Sequence, residues 1–151
     1  MTKSIYTTED YDNMSWHDNI IHSISIVDEN YESNLILGID FITEWICENN
    51  KCQFLIAPAK LVFHDVKDFQ LVINKKSLIM NSYLGLIIDK IIRESTPNKD
   101  KTSEHWRFKF CKLDLESNNC ELSFVSTGFT QTILKEPILK NEQTLIASER
   151  I

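Results

Sequence analysis

The sequence predicts a mostly β protein, a single-domain antiparallel β-sandwich or open barrel of about seven to nine strands, and three observations lead there. Apolar and polar residues alternate along Ile20 to Val27, Leu35 to Trp45 and Trp106 to Phe110, the period of two that half-buries a strand. Turn-forming clusters rich in Asn, Asp and Ser separate these runs, at 28–34, 48–53, 65–68 and 116–119. With 151 residues, 42% of them hydrophobic and 25% charged, the chain is long and apolar enough to bury one core without staples.

Taken in order, residues 1–14 are polar and of mixed charge, and they predict a flexible N-terminal arm. The globular β domain spans 15–135, and 136–151 form a C-terminal tail or a docked short element. In the first strand Ile20, His22, Ile24 and Ile26 share one face. In the second, Leu35, Leu37, Ile39, Phe41 and Trp45 face one way, and Asp40, Ile42 and Glu44 the other. Phe54 to Ala57 reads as a short strand that Pro58 interrupts, because proline lacks the ladder donor and belongs at an edge, bulge or boundary. Leu61 to His64 and Phe69 to Ile73 then complete a local meander.

Residues 78–94 fit either pattern. Met80, Leu84, Ile87, Ile88, Ile91 and Ile92 make a helical stripe, while the β-branched content favours a strand. The strand is the expectation, with a helix and hence an α+β fold as its alternative. Trp106, Phe108 and Phe110 alternate with Arg107 and Lys109, and Leu122 and Phe124 return beside them. A turn that pairs Leu115 with Cys120 would set Cys111 opposite Phe124. Gly128 marks a bend or a close backbone approach.

The net charge of −6 argues against a nucleic-acid surface, which needs clustered Lys and Arg. No signal pattern opens the chain, and no run approaches the roughly 18 apolar residues of a membrane helix, so a cytoplasmic location is expected. Cys47, Cys52, Cys111 and Cys120 miss the close spacing of a zinc turn and predict reduced structural thiols.

The residues able to carry chemistry are Trp16, His17, Asp18, Asn19, His22, Asp40, Glu44 and His64. If the chain is extended at His17 and Asp18, they point apart; if it turns there, both face one cleft. A metal would need these to converge with Asp40, Glu44, His64 or Asp65, and the structural alternative makes Asp18 or Asn19 a turn cap and His22 a core-edge histidine. Asp40 and Glu44, about 13 Å apart along one strand face, are too far apart for a paired-carboxylate hydrolase. A carboxylate inside an apolar strand needs a partner, and His17, His22 and His64 are the candidates. Gly-rich phosphate loops, nucleophile elbows and His-Glu-x-x-His are absent from the sequence. No cofactor is expected and no metal set is assigned.

Trp16-His17-Asp18-Asn19-x-x-His22, Ile39-Asp40-Phe41-x-x-Glu44-Trp45, Ala57-Pro58-Ala59-x-Leu61-Val62-Phe63-x-Asp65-Val66 and Gly128-Phe129-Thr130-Gln131 together resemble a family of small uncharacterised bacterial proteins, over residues 15–132. That resemblance implies no activity. In size and in its Trp-His-Asp opening the chain is also loosely similar to bacterial immunity-protein families, whose members bind and neutralise a cognate toxin. The expectation is therefore a non-catalytic module that binds a protein partner, neither nucleic acid nor membrane, with a homodimer through a sheet edge near Pro58 as a further possibility. The alternative is a small metal-binding protein or hydrolase-like enzyme built on His17, Asp18 and His22.

Overall fold

The computed structural model describes residues 3–73, 86–96, 102–111 and 120–151. Ten strands run through them: β1 (Ile5–Thr7), β2 (Ile20–Glu29), β3 (Glu32–Glu48), β4 (Lys51–His64), β5 (Lys67–Val72), β6 (Leu86–Ser95), β7 (Glu104–Phe110), β8 (Glu121–Ser126), β9 (Gly128–Ile133) and β10 (Ile138–Lys140). All pairings are antiparallel and join one sheet in the order β1-β9-β4-β3-β2-β6-β7-β8-β5, with β10 also on β4. The mostly β expectation holds, with an open sheet. The only helices among the described residues are two 3-10 turns, Thr8–Asn13 and Ala147–Glu149. Thus no described helix is long and apolar enough to cross a membrane. Of the ambiguous span, 86–94 is strand, and 78–85 lies outside the described residues.

The sheet curls so that its two halves face each other across an aromatic core. Phe63 of β4 meets Trp106 of β7 at 5.2 Å and Phe124 of β8 at 4.7 Å between ring centres, and Trp106 meets Phe129 of β9 edge-on at 5.8 Å. Such pairs add about 0.5–1.5 kcal/mol each beyond the area they bury. Leu35, Leu37, Ile39 and Phe41 supply the inner face of β3, as the alternation predicts.

Asparagine sets the tight turns. Asn30 and Tyr31 close β2 onto β3, and Asn49 and Asn50 close β3 onto β4, all four with positive φ, as a two-residue turn matched to strand twist demands. Directly across the second hairpin, Cys47 and Cys52 are opposite each other and form a disulfide, which corrects the expectation of four reduced thiols. Cys111 and Cys120 are free.

Several expectations about phase and register fail for physical reasons. Extra residues bulge from β2 at His22, from β3 at Thr43 and from β6 at Asp89, and β5 also slips against β8 between Lys67 and Gln70. A bulge reverses the facing of everything beyond it. Hence Ile21 and Ile24 both reach the core, and Trp45 shares a face with Ile42 instead of Phe41. Glu44 moves to the face opposite Asp40. The bulged His22 and Ser23 close over Gly38, where a Cβ would overlap Ser23 Oγ and sit 2.5 Å from His22 Cε1.

Pro58 does not break β4, which runs unbroken through it. Its carbonyl accepts the Leu134 amide at 2.9 Å, so its missing N–H faces the gap where the neighbour changes from β9 to β10. Pro58 thus lies inside the sheet, between β3 and the β9–β10 side, and not at an edge. β5 pairs with β8 and not with β4, because the turn at Asp65, with φ 48°, carries the chain across to the other half of the sheet. Trp106, not Cys111, lies opposite Phe124. The proposed Leu115 pairing itself falls outside the described residues.

The polar N-terminus is packed and not a loose arm. Tyr11 donates to the Ile91 carbonyl at 2.7 Å and lays its ring against Trp16 and Trp106, while Thr8 Oγ1 accepts the Phe129 amide beside Gly128.

Candidate functional site

Four of the eight residues singled out from the sequence, Trp16, His17, Asp18 and Asn19, separate into an inward pair and an outward pair at one turn. Before β2 the chain turns so that the Asn19 amide donates to the Trp16 carbonyl at 3.0 Å, with Asp18 in left-handed backbone at φ 64°. Trp16 goes inward, donating from Nε1 to Gln131 Oε1 at 2.8 Å and meeting Phe129 edge-on. Asn19 is fully buried. Its Oδ1 accepts the Ile42 amide at 3.3 Å and its carbonyl accepts the Ile88 amide at 2.8 Å, locking the turn onto β3 and β6.

His17 and Asp18 stay outside, and the turn makes them meet: His17 Nε2 lies 3.5 Å from Asp18 Oδ2. Two residues the sequence reading missed complete the group. The bulge at Asp89 aims its carboxylate at the far side of the imidazole, 3.1 Å from Nδ1. The Cys111 thiol, at the end of β7, lies 3.7 Å from Asp18 Oδ1. Burial first, then the Asp18 and Asp89 carboxylates, push this thiol up to about 11, so it is a donor and a poor nucleophile at neutral pH. Gln143 Nε2 donates to Asp18 Oδ2 at 3.0 Å. The second bulge, at Thr43, turns Trp45 to this face, where its ring stacks parallel to His17 at 6.4 Å and meets Phe54 edge-on. One ligand atom each from His17, Asp18 and Cys111 lies within 4.8 Å of the others.

Asp40 belongs to a different construction. Fully buried in β3, it takes Arg150 in a bidentate pair, Nε to Oδ1 at 2.8 Å and Nη2 to Oδ2 at 2.7 Å. Thr144 Oγ1 and the Leu145 amide donate to Oδ2 at 3.0 and 3.1 Å. Of the expected histidines His22 comes near, and the hydrogen-bonded partner is an arginine from the C-terminal segment, which an apolar seat of Ile42, Phe54 and Ile56 around Leu145 also holds. Glu149 closes the segment, its carboxyl held below the usual range by the Ile146 amide and then by Lys140.

His22 stands beside this pair, 4.0 Å from Asp40 Oδ1. Burial and then the Arg150 guanidinium lower its pKa, against a smaller opposing pull from Asp40. The unfolded chain therefore binds the proton at higher pH than the native one. The His22 contribution is present above about pH 6.5 and is lost as pH falls through the depressed native value. Urea titrations from pH 7.5 down to 5 should show stability falling with acidification, and His22→Gln should flatten that slope. An unchanged slope in the variant would assign the acid sensitivity elsewhere.

The remaining two residues join neither group. Glu44 is exposed and makes no hydrogen bond or ion pair among the described residues. His64 bonds Thr130 Oγ1 at 2.9 Å, and its carbonyl accepts Ser126 Oγ at 2.6 Å, which fixes the corner between β4 and β5. A shallow groove of Lys3, Ser4 and residues 133–137 includes none of the eight. His17 thus stands with Asp18 and Asp89, His22 with Asp40, and His64 with Thr130. Comparison of the chain with protein-family models, with curated proteins and with solved structures gives no match, so what the site can do is argued from its own geometry.

Proposed function

We propose that the protein is a non-catalytic binding module of immunity or accessory type, which engages a basic protein through the end of its β2–β3 hairpin. The observation that carries this reading is Tyr31. It is fully exposed at the hairpin tip and held at φ 64°, where a bulky side chain costs about 1–2 kcal/mol and glycine or asparagine is the default.

Residues 25–32 are exposed, and the end of the ladder, Asp28 opposite Ser33 and Glu29 opposite Glu32, lies beyond Leu35, where the pairing of β3 with β4 begins. The tip combines Ile26, Val27 and Tyr31 with Asp28, Glu29 and Glu32, an apolar and aromatic centre with an acidic surround that complements a cationic surface. A cytoplasmic site of action is part of the proposal. Cys47 and Cys52 close an exposed hairpin end, and a reducing compartment would hold them as two thiols without changing the register.

The test uses the full chain as bait in lysate of the cells that encode it, beside Tyr31→Gly. The glycine variant should gain up to about 1 kcal/mol in stability by relieving the left-handed strain, and should lose the partner. Recovery of the same protein at equal affinity by both baits, or of nothing specific by the parent chain, would refute the reading.

A further inference from the structure

We infer that His17, Asp18 and Cys111 bind a zinc-class divalent transition-metal ion, with Asp89 and Gln143 orienting the ligands from behind. This set differs from the one the sequence suggested. His22 and Asp40 are committed to the C-terminal clamp, and His64 to a corner.

The spacing, with one atom from each ligand within 4.8 Å of the others, is somewhat wider than a bound tetrahedron's. With metal bonds of about 2.0–2.1 Å to nitrogen and oxygen and 2.3 Å to sulfur, tetrahedral ligands lie about 3.3–3.6 Å apart. The imidazole nitrogen and the thiol stand 3.5 and 3.7 Å from the two Asp18 oxygens. Drawing the three atoms to a common centre takes shifts of about 1 Å, on the order of ordinary side-chain motion.

The arrangement behind the ligands points the same way. A metal-binding histidine characteristically gives its other ring nitrogen to a carboxylate or carbonyl. His17 Nδ1 has both, Asp89 Oδ1 at 3.1 Å and the Asp89 carbonyl at 3.3 Å. With Nδ1 turned to Asp89, Nε2 is the ring nitrogen left facing the Asp18 carboxylate. Gln143 supplies the equivalent support to Asp18.

Backbone hydrogen bonds hold the ligands in place without a metal. The Asp18 amide bonds the Ile88 carbonyl at 2.7 Å and the Cys111 amide bonds the Ile87 carbonyl at 2.8 Å, so both are pinned to adjacent residues of β6. The bulge at Asp89 falls on the next residue, and bulges that re-aim a side chain gather beside functional sites.

The donor set selects the metal. One sulfur, one imidazole and one carboxylate suit Zn2+ and Co2+, whereas Mg2+ and Ca2+ take oxygen. Binding exchanges a proton for the ion at sulfur: the S–H bond breaks, the proton leaves to solvent, and the metal–sulfur bond forms. Three protein ligands leave a fourth position open, and His17, half exposed, leaves it in reach of water.

Co2+ titration of the full chain, with the Cys47–Cys52 disulfide intact, tests this by absorption. We expect a near-ultraviolet thiolate-to-metal band saturating at one equivalent and displaced by Zn2+. Cys111→Ser should abolish the band, His17→Gln should weaken binding, and Cys120→Ser should change nothing. Asp89→Asn should keep the band but weaken binding by about 10–100-fold. A spectrum of free Co2+ at all ratios, or a band that survives Cys111→Ser, would overturn the assignment.

Discussion

Arg150→Ala is expected to destabilise the protein by roughly 3–5 kcal/mol, the usual penalty for stranding a buried charge. Asp40 is completely shielded from water and would lose both guanidinium donors, keeping Thr144 Oγ1 and the Leu145 amide, with His22 4.0 Å away. The same change frees the segment that carries Leu145, so its apolar seat empties as well. Urea denaturation checks this through the midpoint, and limited proteolysis should release the C-terminus. Replacing both partners with apolar residues of similar volume, Asp40→Leu with Arg150→Met, should recover most of the loss, because a buried pair barely outweighs its own desolvation. A loss under about 1 kcal/mol in the single variant would mean that the clamp contributes little.

Phe63→Ala is expected to cost roughly 3–5 kcal/mol, the range for removing a large aromatic from a close-packed core. Phe63 is wholly buried and is the ring of β4 that touches Trp106, Phe108 and Phe124 from the facing half of the sheet, as well as Phe129 beside it. The near-ultraviolet circular dichroism should lose the signal of a fixed Trp106. Val62→Ala, next in sequence but only half-buried, should cost much less. Equal costs at the two positions would contradict a sheet folded over on Phe63.

The elements legible in the sequence were those set by local chemistry. Alternation placed β2, β3 and β7, and asparagine marked the turn at 49–50, where left-handed backbone is cheapest. What escaped depends on partners distant in sequence. A bulge adds one residue without altering composition, so the phase errors at His22 and Thr43, and the aiming of Asp89, leave no local trace. Pro58 reads as an interruption until the change of neighbour from β9 to β10 is known. Asp40 announced its need for a counter-charge, but the guanidinium that answers it lies 110 residues away in a segment of weak pattern.

Two misses had readable signals. Cys47 and Cys52 fall symmetrically about Asn49 and Asn50, so a two-residue turn already places them opposite each other. The polar N-terminal stretch carries Tyr6 and Tyr11, aromatic anchors that its charged neighbours obscured. Of the candidate site, His17 and Asp18 were legible as a pair dependent on a turn. Cys111 was not, since it joins them only through the β6–β7 pairing.

Amide hydrogen exchange at Leu145 is the most direct check that Asp40 serves to hold the C-terminus down. That amide belongs to no strand and donates to the Asp40 carboxylate, so its protection reports the clamp itself. Exchange as slow as that of the β3 and β4 core amides is the predicted result. Exchange at the rate of an unstructured peptide, with those core amides still protected, would show the segment undocked and leave the carboxylate without the role assigned to it.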